Sequence, residues 1–277
     1  MNLFEINKLK CSYNNGPVVL EVNNLVIPAG KLIVIIGISG AGKSTFLETL
    51  GLMNNTVARG SEIYFNPSTD ERYDFYKIWN EKRSKDIFNV RRKHFSFIFQ
   101  STNLMPNFSV FENICLTQML QGKSGKESMN SAKEIMDIIG LEEIGENKSS
   151  YEISGGQAQR VAFVRAITPM FTILFGDEPT GNLDEKNSRD LMSILKNKLR
   201  EWNKTALLVS HNIDLALEFA DQIILISKPV NHGVINPDNV FHKTDNSWRN
   251  GNINHSVNEM KHYLKQILGI EIFNERV

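Results

Sequence analysis

Residues 32–45 read Leu32-Ile33-Val34-Ile35-Ile36-Gly37-Ile38-Ser39-Gly40-Ala41-Gly42-Lys43-Ser44-Thr45. An unbroken apolar run with no polar alternation suits a strand covered on both faces, as in the centre of a parallel sheet. The run leads straight into the spacing G-x-x-x-x-G-K-[ST], and a helix is expected from Lys43. Glycines let the backbone curl closely enough for successive amide N–H groups, together with the positive end of the new helix, to face a polyanion. Gly37, Ile38, Ser39, Gly40, Ala41 and Gly42 are therefore candidate phosphate-binding residues. Lys43 reaches the β- and γ-phosphates as a point charge, and Ser44 offers its hydroxyl to Mg²⁺, which takes oxygen ligands and bridges the phosphates. Thr45 stands where it meets the α-phosphate or packs under the helix. ATP or GTP binding follows, but this stretch alone does not choose a family.

Outward from this strand, similar apolar runs recur at Phe95–Phe99, Ile173–Phe175, Ala206–Val209 and Ile223–Ile226. Helical periodicity lies between them: Ala132, Ile135, Met136 and Ile139 fall at i, i+3, i+4 and i+7, and Gly140 suits the position just past a helix end. The expected class is α/β with a mostly parallel central sheet and a helical insert, roughly 101–168. Residues 1–30 alternate around Tyr13-Asn14-Asn15-Gly16-Pro17, where Asn15-Gly16 would supply the positive φ angles of a hairpin in an antiparallel β subdomain. Beyond Ile226 the chain turns polar, with Pro229, Gly233 and Pro237. Val257, Met260, Leu264, Ile267 and Leu268 then form the stripe of one amphipathic helix. These features divide the chain into a main domain over 1–227 and an appendage over 228–277, either a docking surface or a helix packed on the body. Lys82, Arg83, Lys85, Arg91, Arg92 and Lys93 make 66–93 a basic stretch, read as a solvated face against the alternative of an anionic partner.

The 277 residues are 41% hydrophobic, enough for a packed core. Lys plus Arg and Asp plus Glu both total 31, so no basic excess draws the chain to nucleic acid. Cys11 and Cys115 show neither disulfide nor zinc spacing, which fits a reducing compartment with both residues buried as small apolar groups. No apolar run approaches the ~20 residues a bilayer requires, and the first residues lack a leader pattern. The expected location is cytoplasmic unless a partner holds the chain at a membrane.

Four further motifs choose the family. In Ile153-Ser154-Gly155-Gly156-Gln157-Ala158-Gln159-Arg160, Ser154 can cap a helix running through Val161 and Val164, while the two glycines leave amides bare for a second anion site. Thr172-Ile173-Leu174-Phe175-Gly176-Asp177-Glu178 is an apolar strand ending in two carboxylates, followed by Pro179-Thr180-Gly181-Asn182-Leu183-Asp184. Gln100 and His211 each close an apolar strand, where open α/β sheets place their ligands. In this order the motifs resemble the ATP-binding cassette (ABC) family over roughly residues 1–227, with Ile153 where the family more often has Leu.

The resemblance implies an ATPase subunit that powers a separate integral membrane permease from the cytoplasmic face of the inner or plasma membrane. It implies that Asp177 holds Mg²⁺ with Ser44 and Gln100, that Glu178 polarises the attacking water, and that His211 contacts the γ-phosphate. It further implies that Ser154, Gly155, Gly156 and Gln157 close over ATP held by a second copy or a paralogous ATPase subunit, in a head-to-tail nucleotide sandwich with Asp184 at the interface. Tyr13 is the candidate for stacking on adenine, with a hairpin core residue as its alternative. The stretches 97–108 and 177–184 are similar to the lipoprotein-release, macrolide-export and cell-division branch; a solute-importer ATPase is the rival branch. Two other classes stand further off. A soluble non-transport ABC ATPase would carry sustained heptads or zinc spacing between cradle and signature. A nucleotide-regulated binding module or a P-loop kinase is opposed by Glu178 with His211 and by the signature, respectively.

Overall fold

The computed structural model describes residues 1–270. The chain begins with two long strands, β1 (Asn2–Ser12) and β2 (Val18–Pro28), paired antiparallel. The turn between them corrects the expected glycine position. Asn14 and Asn15 carry the positive φ angles (51° and 57°), and Gly16 N–H closes the turn on Tyr13 O at 2.8 Å. Asparagine tolerates the left-handed region, so the turn forms one residue earlier than an Asn-Gly reading places it.

Next come β3 (Leu32–Gly37), α1 (Lys43–Leu50), β4 (Glu62–Phe65), β5 (Tyr73–Asp74), α2 (Phe75–Asn80), α3 (Ser84–His94) and β6 (Phe95–Ile98). The helical insert holds α4 (Val110–Leu120), α5 (Gly125–Ile138) and α6 (Gly155–Ile167). Gly140, at φ 67°, ends α5 as expected: Leu141 N–H donates to Met136 O and Gly140 N–H to Asp137 O, which satisfies two terminal carbonyls. The chain continues with β7 (Ile173–Asp177), α7 (Glu185–Trp202), β8 (Thr205–Val209), α8 (Ile213–Phe219) and β9 (Gln222–Ile226). Last come β10 (Gly233–Ile235), β11 (Val240–Lys243), β12 (Ser247–Asn250), β13 (Ile253–Ser256) and α9 (Val257–Ile267).

Two sheets organise these elements. One runs β10-β2-β1-β4-β5; the other runs β13-β12-β11-β9-β3-β8-β7-β6, parallel from β9 to β6 and antiparallel beyond β9. Strand β3 lies among the parallel strands and alternates between two cores. Leu32, Val34 and Ile36 join the helices α4–α8, whereas Ile33 and Ile35 join the antiparallel sheet and α1. Burial on both faces is the reason the run contains no polar residue.

Around 66–93 the cations lie mostly at the surface, while Phe75, Ile78 and Val90 are buried; Phe75 meets Phe4 edge-on at 5.7 Å. The region after 227 holds more than the expected helix. Strand β10 adds to the first sheet and β11–β13 extend the second, each only three or four residues long, too short to show a period. Trp248, Met260 and Leu264 are fully buried on the main core, and residues 271–277 of the expected appendage lie outside the described residues. Both cysteines are buried, and burial pushes the Cys11 thiol up to about 11.

Candidate functional site

The loop between β3 and α1 is shaped by glycine. Gly40 and Gly42 take φ 68° and 92°, and a Cβ at Gly37 would stand 2.9 Å from Ile226 O, so β9 leaves no room for one. Helix α1 starts at Gly42 with no side-chain cap, so its first N–H groups are left for a ligand. Lys43 is buried, its Nζ donating to Gly37 O (2.8 Å) and Ile38 O (3.0 Å). Burial pulls the Lys43 pKa down, with Glu178 and Asp177 opposing. An ammonium held this way, in a ring of peptide carbonyls and free amides, is ready to exchange carbonyl contacts for phosphate oxygens. Ser44 is exposed at the helix start, and the Tyr13 hydroxyl lies 3.0 Å from Thr45 Oγ1, which brings the hairpin aromatic beside the phosphate loop. Tyr13 is 45% exposed, not a hairpin core residue.

A second group gathers at the ends of β6, β7 and β8. Glu178, just past β7, has φ 50°, a conformation that costs a non-glycine residue about 1–3 kcal/mol. Backbone bonds hold it there: Glu178 N–H donates to Val209 O (3.1 Å) and Gly181 N–H to Glu178 O (3.0 Å). The carboxylate faces His211, whose Nε2 is 2.8 Å from Oε1, and Gln100, whose Nε2 donates to Oε2 at 3.4 Å. Gln100, Glu178 and His211 come from sequence positions far apart and meet on one carboxylate. Asp177 precedes it at the strand end, near enough to Lys43 to act on its charge.

Ser154 caps α6 as expected: Gln157 N–H donates to Ser154 Oγ (3.2 Å), and Ser154 N–H donates to Gln157 Oε1 (2.9 Å). Gly155 is exposed on the first turn, and Gly156 lies under Leu183, whose Cδ2 would be 3.7 Å from an added Cβ. Asp184 caps α7 through Asn187 N–H (2.9 Å), and hydrogen bonds from Asn187 hold its carboxyl below the usual range. The cap at Ser154 is thus tied to its own helix and not to Lys43 or Glu178.

Two residues that sequence reading passed over join these parts. Gln159 is fully buried and donates through Nε2 to Pro179 O (2.7 Å), linking α6 to the loop after Glu178. Arg165 donates to Asn103 O (2.8 Å) and Thr102 O (2.7 Å), linking α6 to the loop after Gln100. Each was detectable as a polar residue inside the apolar sequence 158–167, which demands a partner when buried.

The family model described as ABC transporter matches residues 20–181. The lipoprotein-releasing system ATP-binding protein LolD of Zymomonas mobilis is 31% identical over 228 residues, covering 81% of this chain and 93% of the relative. The uncharacterized ABC transporter ATP-binding protein YbbA of Escherichia coli is 34% identical over 218 residues, covering 78% and 90%. Among solved structures, the dimeric form of MJ0796, a bacterial ABC transporter cassette, superposes with TM-score 0.66 at 30% identity over 80% of this chain and 93% of that one. A second MJ0796 dimer, described as a post-hydrolysis state bound to ADP and Pi, gives TM-score 0.66 at 29% identity over the same shares.

Proposed function

This chain belongs to the ABC transporter family as one of its ATP-binding, ATP-hydrolysing cassettes, and on that premise we propose that it works in pairs, closing on ATP to drive a membrane permease. The observation that carries the reading is the meeting of Gln100, Glu178 and His211 beside the Lys43 phosphate loop.

In this reading the amides of 37–45 and Lys43 hold the phosphates while Tyr13 stacks on adenine. Glu178 orients and polarises the attacking water; His211, beside its carboxylate, contacts the γ-phosphate, and Gln100 would offer its amide oxygen to the metal. Mg²⁺ fits the donors available: the exposed Ser44 hydroxyl, the Asp177 carboxylate and the Gln100 amide oxygen are hard oxygen ligands. Among the described residues no cluster of three or more His, Cys, Asp or Glu residues stands ready for a metal, as suits an ion whose other ligands are phosphate oxygens and water. Bound there, Mg²⁺ neutralises charge building on the phosphates.

Ser154 and Gln157 use their own amides in the cap of α6, which leaves the amides of Gly155 and Gly156 to face ATP held by a second copy or a paralogous ATPase subunit, with the Ser154 and Gln157 side chains beside it and Asp184 at the same interface. The dimeric MJ0796 structures support that arrangement. No helix among the described residues is long and apolar enough to cross a membrane. In this reading the subunit sits on the cytoplasmic face of the inner or plasma membrane, held there by an integral membrane permease. A groove lined by Pro106, Phe108, Phe111, Met129 and the exposed Tyr151, with Glu112 and Glu146 among its polar residues, includes part of the loop after Gln100 and in this reading receives that permease. The LolD relative supports the lipoprotein-release, macrolide-export and cell-division branch over a solute importer.

The test is a pull-down of tagged protein from detergent-solubilised membranes of its native cell. A co-purifying permease with a large extracytoplasmic domain is expected. A compact multi-span permease would favour import or ordinary export, and no membrane partner would overturn the transporter reading.

A further inference from the structure

The last segment of the chain grips one helix of the catalytic centre at both ends. Helix α8 starts two residues after His211. Asn212 caps it, accepting Leu215 N–H at 3.0 Å and donating its own N–H to Ser210 Oγ at 3.1 Å, so His211 sits between a strand end and a fixed cap. At the front of α8, Asp214 pairs with Lys261 Nζ of α9 at 2.5 Å. At the back, Lys243 Nζ of β11 donates to Leu217 O and Glu218 O, both at 2.7 Å, satisfying carbonyls that a helix end leaves unpaired. Between these contacts Ile213, Ala216 and Leu217 share one core with Phe241, Trp248, Met260 and Leu264.

We propose that Lys243 and Lys261 are positioning residues for ATP hydrolysis, holding α8 so that His211 is kept in place beside Glu178, where it meets the γ-phosphate. The inference rests on the reading of His211 given above. The Lys261–Asp214 pair is largely exposed, and such pairs contribute little to folding stability. What it fixes is the direction of a seven-residue helix whose first cap adjoins His211. Small displacements of a reacting group lower rates steeply, so the consequence falls on turnover more than on unfolding. Removing everything after Ser227 would be a poor test, because it also strips β11 from β9 and bares the core around Trp248.

The experiment compares full-length protein with Lys243→Met, Lys261→Ala, Lys243→Arg and the exchanged pair Asp214→Lys with Lys261→Asp. It reads kcat and KM for Mg-ATP alongside the melting temperature, with His211→Ala as reference. Lys243→Met is expected to lower kcat about 10-fold, with KM within about two-fold of the parent, the pattern of an interaction needed in the transition state. Lys243→Arg should keep most of the turnover, and the exchanged pair should recover what Lys261→Ala loses. Unchanged kcat in Lys243→Met and Lys261→Ala, with His211→Ala inactive, would overturn the brace. A loss of kcat matched by unfolding at the assay temperature would also overturn it. If Lys243→Met does not fold, Lys261→Ala and the exchanged pair decide alone. Full turnover in His211→Ala would instead remove the reading of His211, and this inference with it.

Discussion

His211 Nε2 lies 2.8 Å from Glu178 Oε1, and Gln100 Nε2 reaches the other carboxylate oxygen at 3.4 Å. Both oxygens of Glu178 are thus engaged, on a backbone held at φ 50°. A residue kept in a costly conformation by its surroundings is one whose direction matters, and in this chain its carboxylate is held between His211 and Gln100, near enough to Lys43 to act on its charge.

Glu178→Gln keeps the shape of the side chain and one accepting oxygen, but its amide nitrogen cannot accept at the other position and the group cannot take a proton. ATP binding is expected to persist while phosphate release slows by ~10²–10⁴-fold, the range for a positioned acid or base. Equilibrium nucleotide binding and steady-state phosphate release on the same preparation check this. Unaltered turnover would remove Glu178 from the role.

Ser154→Arg separates binding in one chain from closure between two. The Ser154 side chain bonds only to Gln157 among the described residues, so the isolated subunit should bind ATP within about two-fold of the parent. Turnover, and ATP-dependent pairing in a Glu178→Gln background, should disappear, because the bulky cation stands where a partner's nucleotide must approach. Size-exclusion chromatography with light scattering reads the pairing. Lost ATP affinity in the monomer would place Ser154 in its own chain's site.

Gly233→Ala tests a contact from β10 onto the phosphate loop. A Cβ at Gly233 would fall 1.9 Å from Ala41 O and 2.9 Å from Ile226 Cγ2, and Ala41 lies inside the cradle. The loop must shift, so ATP affinity is expected to drop by about 10-fold or more, in line with the 1–3 kcal/mol typical of overpacking. Titration calorimetry with ATP measures it, and unchanged affinity would mean that β10 yields instead of the loop.

These outcomes also mark what the sequence alone could reveal. The strand at 32–37, its loop, and the carboxylates after β7 were legible because burial on two faces and close phosphate approach each write a local pattern. The turn at Asn14-Asn15 was displaced by one residue because Asn and Gly both tolerate positive φ. Strands β10–β13 escaped because three or four residues carry no period. The grip of Lys243 and Lys261 on α8 escaped for another reason: it joins positions 25 to 47 residues apart through long flexible side chains, which no spacing rule records. Gln159 and Arg165 lay between these extremes, visible as misplaced polarity but with partners that only the fold supplies.

Stability should fall on mild acidification because of His94, away from the nucleotide site. The ring is 4% exposed, between Phe65 and Tyr73, with Nδ1 2.9 Å from Thr172 Oγ1 and Nε2 3.4 Å from Glu71 Oε2. Burial pushes its pKa from 6.5 down to about 4; Glu71 opposes the shift, while Lys93 and Lys204 reinforce it. Lys93 in turn holds the Glu71 carboxyl below its usual value, so Glu71 stays charged through most of this window. Between pH 6.5 and 4 the unfolded chain binds the proton and the folded chain does not. The contribution of neutral His94 is therefore complete above pH 6.5, shrinks as the pH falls, and is gone once the folded ring itself protonates near pH 4. At about 1.4 kcal/mol per unit, the shift from 6.5 to about 4 makes the full effect roughly 3–4 kcal/mol. Urea unfolding at several pH values should give a steeper decline for the parent than for His94→Gln, which cannot titrate but can still bond Thr172. Parallel declines would show that burial does not lower the pKa of the folded ring.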